Sequence, residues 1–213
     1  MKEVFDWFQE RQVERTIEAL KKNRIPAVFF STREEAKKGV LEMIPPASSV
    51  GIGGSATLRQ LGLIEEVKKR GFTVFNPLEP KLTDDEKMDL RRKALLSDIF
   101  LVGTNAITEE GQLFNIDSIG NRVGAMFFGP KKVIVVAGTN KIVKDLDEAI
   151  LKVQERTAPI NAKRLKIATP CVQTGQCEDC ESPGRICNIW VVIHKKPRQT
   201  DLQVVLVGET LGI

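Results

Sequence analysis

Apolar and polar positions follow two rhythms along the chain. Short apolar runs alternate with longer amphipathic stretches at helical spacing for most of its length. Val4, Trp7, Phe8, Ile17 and Leu20 trace one face of a first helix, predicted to end near Asn23 ahead of Pro26 and the strand AVFF. Thr32 and Glu35 have the spacing of a capping box, in which each side chain satisfies the other residue's backbone N–H, and they open a second helix through Met43. SSVGIGG is a strand running into a glycine turn. A helix from about Ser55 to Arg70 follows, with Gly71 suited to the left-handed residue that ends a helix. FTVFNP is the next strand, and Thr83 with Glu86 repeats the capping box at the start of TDDEKMDLRRKALL. Two strongly apolar strands, IFLVG and KVIVVAG, then enclose a stretch dense in Gly, Asn and Asp, with a short helical NRVGAMFFG. DLDEAILKVQERT is a further helix, and WVVIH and QVVLVG, separated by KKPRQT, are predicted to form a C-terminal β-hairpin. Strands alternating with helices in this way predict an open α/β fold with a mainly parallel sheet flanked by helices. Residues 1–213 are read as a single domain, with no internal repeat and no low-complexity linker.

Composition supports a globular chain. Its 213 residues suffice to bury a core without disulfides, and 42% are hydrophobic and 28% charged, with the two signs mixed along the chain. The formal net charge of +4 is spread thinly, there is no Tyr, and most Phe residues lie in apolar runs, so nucleic acid is not expected as a partner. The N-terminal stretch alternates apolar with charged residues and lacks the apolar centre of a signal peptide. No apolar run approaches the roughly 20 residues that span a bilayer. A cytoplasmic, reducing setting without membrane insertion is expected, one in which thiols persist.

Two polar regions carry candidate chemistry. Gly51, Gly53, Gly54, Ser55 and Thr57 stand at a strand-to-helix junction, where free N–H groups favour a phosphate or carboxylate. The same residues also suit a tight turn with a helix cap. A nicotinamide fingerprint would need an acidic residue at the end of the next strand, and Phe75-Asn76-Pro77 stand there instead. In the central stretch, Asn105, Asn115 and Asn121 can both donate and accept toward a hydroxyl or carboxylate, while Asp117 and Glu109 are candidate proton carriers. Such residues also make turns for purely structural reasons. His194 is assigned no role, and Trp190 is read as packing.

Every cysteine lies within one loop. Cys171, Cys177, Cys180 and Cys187 follow the spacing C-x5-C-x2-C-x6-C, and Gly175, Pro183 and Gly184 can bend the outer pair inward. Four thiolates so close in sequence predict a metal site over residues 170–190. A compact loop of this kind favours a 4Fe–4S cluster, with a structural zinc as the alternative.

The strings GIGGSATLRQLGL, GTNAITEEGQLFNIDSIGNRVGAMFFGPKKVIVVAGTNKI, PCVQTGQCEDCESPGRIC and LVGETLG resemble the lactate-utilization (LUD-domain) family, in its short form with a C-terminal cysteine loop. The resemblance implies a fold of the sugar-phosphate isomerase and CoA-transferase type. It also implies a part in oxidation of lactate to pyruvate, and a segment from Gly103 to Lys141 that contacts a phosphosugar in relatives on that fold, which adds Lys141 to the ligand-binding candidates. Three functions follow as expectations. The first is an iron–sulfur subunit of a lactate-utilization system, acting by electron transfer or ligand binding. The second is a self-sufficient isomerase- or acyl-transferase-like enzyme with structural zinc. The third is a non-catalytic module that senses a hydroxy acid. The expected partners are a small hydroxy acid or phosphorylated ligand and redox partner subunits, with a homodimer as a further arrangement.

Overall fold

The computed structural model describes residues 1–213. Helix α1 (Lys2–Lys22) leads into β1 (Ala27–Phe30), α2 (Arg33–Glu42) and β2 (Ser49–Ile52). Then come α3 (Ala56–Gln60), α4 (Leu63–Lys69), β3 (Thr73–Phe75), α5 (Asp84–Leu95) and β4 (Ile99–Val102). Next are β5 (Ala106–Thr108), β6 (Leu113–Asp117), α6 (Asn121–Phe127), β7 (Lys132–Gly138) and β8 (Ile142–Val143). The chain finishes with α7 (Leu146–Lys152), α8 (Ala158–Arg164), α9 (Pro170–Thr174), β9 (Ile189–Ile193) and β10 (Asp201–Val207). Both predicted capping boxes form, Thr32 with Glu35 at α2 and Thr83 with Glu86 at α5. The predicted helix over 55–70 is two helices, because Gly62 adopts φ +63° and turns the chain between α3 and α4.

Six strands make one sheet in the order β1-β10-β7-β4-β2-β3, every neighbouring pair parallel. Strand β7 at its centre shows why KVIVVAG is apolar without alternation. Val133, Val135 and Ala137 pack among residues of α1, α5 and α6, while Ile134 and Val136 pack with α2, α3 and α4 on the other face. Helices on both faces follow from the parallel pairing, which needs crossover connections.

The predicted C-terminal hairpin does not form. Leu202, Val204, Val205, Leu206 and Val207 are fully buried, so β10 needs cover on both faces and edges, and it finds this between β1 and β7. WVVIH is only half-buried and becomes β9, an edge strand of a second sheet ordered β8-β5-β6-β9. The central polar stretch is likewise not one long turn. It contains the antiparallel hairpin β5–β6, with Ala106 opposite Phe114. A third cluster, including Phe114, Ile116, Val143 and Val153, packs α7 and α8 onto this smaller sheet.

The stripe predicted on α1 holds only in part. Val13, Thr16 and Leu20 are buried, but Val4, Trp7 and Phe8 are exposed, because the first two turns project beyond the core.

Candidate functional site: a cationic cleft beside a cysteine loop

A cleft of about 230 Å³ opens where β2, β4 and β7 end, at the carboxyl edge of the large sheet. Open α/β sheets place ligands at this edge, because the strands there give way to turns whose polar groups are not used by the ladder. Of the predicted glycine cradle, Gly54, Ser55 and Thr57 line the cleft. Gly51 and Gly53 do not. A Cβ on Gly51 would lie 2.7 Å from Ser97 Oγ, and one on Gly53 would lie 2.8 Å from Val102 Cγ2. The Gly53 N–H donates to the Leu101 carbonyl at 2.8 Å, so it belongs to the sheet. These two glycines serve packing. Gly103, at the end of β4, permits the approach of the neighbouring turn, since a Cβ there would stand 2.6 Å from Ser55 Oγ.

The floor of the cleft is organised by Arg122, whose side chain is only 13% exposed. Its Nε donates to Asp117 Oδ2 at 3.1 Å, and Nη1 donates to Asn115 Oδ1 at 2.8 Å and to the Gly103 carbonyl at 3.3 Å. Nη2 donates to Asn105 Oδ1 at 3.3 Å and to the Ile116 carbonyl at 2.5 Å. Burial lowers the affinity of this guanidinium for its proton, and Asp117 opposes that effect. The second oxygen of Asp117 accepts the N–H groups of Ile119 and Gly120 at 3.1 and 2.9 Å. That oxygen holds the loop before α6, while Oδ2 accepts only from Arg122 and Asp117 lines the cleft.

Asn115 is fully buried, with Nδ2 donating to Thr104 Oγ1 at 3.0 Å, and it supports the floor without lining the cleft. Asn105 and Asn121 do line it. Glu109 does not reach the site. It accepts from Gln12 Nε2 and Arg15 Nε, both at 2.9 Å, and so ties α1 to the β5–β6 turn. The alternation of polar residues could not separate the start of β5, which faces the cleft, from its far end, which faces α1.

Four basic side chains, Arg91, Arg122, Lys141 and Arg164, line the cleft against the single carboxylate Asp117. Arg91 has no hydrogen-bond or ion-pair partner, and Arg164 is held by Asn161 Oδ1 at 3.1 and 2.6 Å. Lys141 is 3% exposed, and burial together with the nearby Lys152 ammonium brings its pKa down to about 8. Arg91, Asn161 and Arg164 were not distinguished in the sequence, where they sit among many similar residues on amphipathic helices. The sole local sign is Pro159. It stands in the first turn of α8, directly after a π-helical turn over Val153–Thr157, and Thr157, Asn161 and Arg164 of this stretch line the cleft.

The small sheet gathers these parts along one edge. Lys141 precedes β8, which runs parallel to β5, and Asn105 precedes β5. Strand β6 is antiparallel to β5 and ends at Asp117, which pairs with Ile189 at the start of β9, two residues after Cys187. Four separate chain segments therefore deliver Lys141, Asn105, Asp117 and Cys187 to the same side.

Comparison with known families places this architecture. The family model described as the LUD domain matches residues 13–207. The chain belongs to the LUD-domain family. A solved DUF162 family protein from Deinococcus radiodurans shares the fold, at TM-score 0.54 and 16% identity over 94% of this chain and 98% of that one. Weaker likenesses are eIF2B delta from Chaetomium thermophilum, at TM-score 0.37 and 16% identity over 56% of this chain and 51% of that one, and a malonate decarboxylase alpha subunit from Acinetobacter baumannii. The latter has TM-score 0.41 and 11% identity over 95% of this chain and 38% of that one. No curated protein matches the chain. No helix of this LUD domain is long and apolar enough to cross a membrane.

The cysteine loop of the LUD domain adjoins the cleft. All four cysteines are half-buried free thiols, and all line one small cavity of about 20 Å³. Asp179, between Cys177 and Cys180, adopts φ 45°, a left-handed turn that Asp tolerates. Arg185 Nη1 donates to the Cys180 carbonyl at 2.8 Å and Nη2 to Asp179 Oδ1 at 2.6 Å, closing the loop. Burial pushes the Cys187 thiol up, with Arg185 working against it. Trp190 Nε1 donates to the Cys187 carbonyl at 3.1 Å, and its ring stands edge-on to Phe114 at 5.7 Å, anchoring the loop to the small sheet. Four soft donors around one apolar cavity fit a thiophilic metal centre. No three of them stand at ligating separation. Closing the set would bring uncompensated thiolates together, which a cation must offset.

Proposed function

We propose that this LUD domain is the ligand-binding subunit of a lactate-utilization system, holding a small carboxylate or phosphate ester in the cationic cleft and a four-thiolate metal centre in the adjoining loop. The observation that carries the reading is a shared wall, since Ala158 and Ile186 line both the cleft and the cysteine cavity. An anionic ligand suits the cleft because four basic groups face one carboxylate that Arg122 already neutralises. Arg91, with no partner in the chain, is free to meet the ligand, while Asn105 and Asn121 can bond its hydroxyl groups.

For the metal, Cys171, Cys177, Cys180 and Cys187 would be the ligands. A 4Fe–4S cluster there would supply one-electron chemistry beside the ligand. The chain's own part is to hold the loop through Arg185 and Trp190 and to limit water at the apolar wall between the two cavities.

The test is anaerobic purification followed by iron, sulfide and zinc analysis, together with calorimetric titration of lactate and inorganic phosphate. Iron and sulfide in equal amounts, with saturable anion binding, is the expected result. One tightly bound zinc per chain would move the reading to the alternative of a self-sufficient enzyme with a structural metal. Failure of every anion to bind would remove the cleft assignment.

A further inference from the structure

Among the basic groups of the cleft, Lys141 stands apart in chemistry. The residue is 3% exposed, yet its Nζ makes no hydrogen bond and no ion pair. Every fully buried side-chain nitrogen and oxygen in the structure has a partner, so an unpartnered Nζ must keep an opening to solvent, and the cleft is the opening that Lys141 lines. The amine is held there from behind. Lys141 closes the turn Thr139–Lys141, whose Asn140 carbonyl accepts from Lys152 Nζ and whose Asn140 Oδ1 accepts the Leu211 N–H at 3.0 Å. Gly212 fixes the front, since a Cβ there would lie 2.6 Å from Thr57 Oγ1 and 3.6 Å from Lys141 Nζ.

A guanidinium in such a position can only bind an anion, because it never loses its proton at ordinary pH. A desolvated amine beside a second cation can be neutral and hence nucleophilic. We infer that Lys141 forms an imine with a small carbonyl compound that carries an anionic group, such as a 2-oxo acid or an aldehyde phosphate. The inference rests on the anion-binding reading of the cleft, because the guanidiniums of Arg91 and Arg164, which line the same cleft, are what would seat the anionic end.

In the step, the unprotonated Nζ adds to the carbonyl carbon. A C–N bond forms, the C–O bond breaks, and the oxygen leaves as water with the two amine protons. Nothing is oxidised or reduced. The pKa of about 8 leaves roughly a tenth of the amine unprotonated at pH 7, against well under a thousandth for an exposed lysine.

The experiment uses the intact chain with glyoxylate as probe and borohydride to reduce any imine to a stable secondary amine, read by intact mass and peptide mapping. A single adduct on Lys141, suppressed by excess inorganic phosphate and lost in Lys141→Arg, is the expected result. Adducts spread over exposed lysines, unaffected by phosphate or by Lys141→Arg, would overturn the inference. Calorimetry of phosphate binding to the unaltered protein separates the two readings. Phosphate binding without a Lys141 adduct refutes the imine and leaves the anion cleft standing, whereas no phosphate binding refutes the cleft itself. If Lys141→Arg fails to fold, phosphate protection in the unaltered protein decides the matter.

Discussion

Replacing Arg122 with alanine would remove a guanidinium that makes five hydrogen bonds, and it would leave the Asp117 carboxylate, 9% exposed, without its ion-pair partner. Removing one partner of a buried pair costs about 3–5 kcal/mol, chiefly because the remaining charge is stranded. The two N–H groups of Ile119 and Gly120 still bond to Asp117, which holds the cost toward the lower end of that range. For a chain of this length 1 kcal/mol shifts Tm by about 2–4 °C, so a fall of roughly 10 °C is expected. Urea denaturation of Arg122→Ala, Asp117→Asn and the double variant would measure it. The double variant should be less destabilised than the two single changes added together, since the neutral amide introduced by Asp117→Asn strands no charge. A loss below about 1 kcal/mol for Arg122→Ala would refute the view that this residue organises the cleft floor.

Three further outcomes follow from the same geometry. Because folding lowers the Lys141 pKa to about 8, the penalty for its charged form is present in full below about pH 8 and is relieved as pH rises from there toward the unfolded value near about 10.4. Lys141→Met should therefore stabilise the ligand-free protein at pH 7 by up to about 3 kcal/mol, and phosphate affinity of the unaltered protein should weaken above pH 8, with proton uptake on binding there. The charged group that acts on this amine is Lys152 from α7, the other charged groups of the cleft being Arg91, Arg122, Arg164 and Asp117, and a pH-independent affinity would count against the assignment. Gly53→Val should destabilise by about 1–3 kcal/mol through overpacking against Val102 and Phe100, whereas Gly54→Ala, whose Cβ would rest 3.8 Å from Leu78, should leave stability unchanged in a thermal melt. Cys180→Ala should abolish metal loading and increase hydrogen exchange over residues 170–190 while leaving β4 and β7 protected, and equal loosening of those strands would contradict a local role for the loop.

The parts of the fold that were legible in the sequence are those set by local chemistry. Thr32 and Thr83 cap helices because a hydroxyl and a glutamate three residues on satisfy each other's backbone, whatever the rest of the chain does. KVIVVAG announced a strand covered on both faces because no polar residue interrupts it. The misread hairpin shows what pattern cannot supply. WVVIH and QVVLVG are both apolar and close in sequence, and only the place between β1 and β7 in a parallel sheet decides that QVVLVG leaves its neighbour. Among the candidate site residues, Asn105, Asn121 and Lys141 line the cleft, while Glu109 differs from Asp117 in lying at the opposite end of the β5–β6 hairpin. That separation depends on two strands of three and five residues, too short to be seen inside a run of turn-forming residues.

The same hairpin explains how the cationic cleft and the cysteine loop come to adjoin each other. In the large sheet β2, β4 and β7 end at the cleft, but parallel neighbours are joined only through crossovers, so their loops are not paired directly with one another. Antiparallel pairing of β6 with both β5 and β9 is direct. It sets Asp117 opposite Ile189 and leaves Cys187 two residues away, with Trp190 and Phe114 locking the pair. Arg122 then ties the β6 end to the β4 end through the Gly103 carbonyl, so the small sheet is bonded to the large one at the floor of the cleft. A change in the thiol loop therefore has a short path to the ligand wall, through Ile186 on one side and the Asp117–Ile189 pair on the other. Loss of the Trp190–Phe114 contact in Trp190→Ala should accordingly weaken phosphate binding as well as metal loading, although Trp190 touches neither the cleft nor the cysteine cavity. Unchanged phosphate affinity in a variant that loads less metal would show that the two sites are neighbours without being coupled.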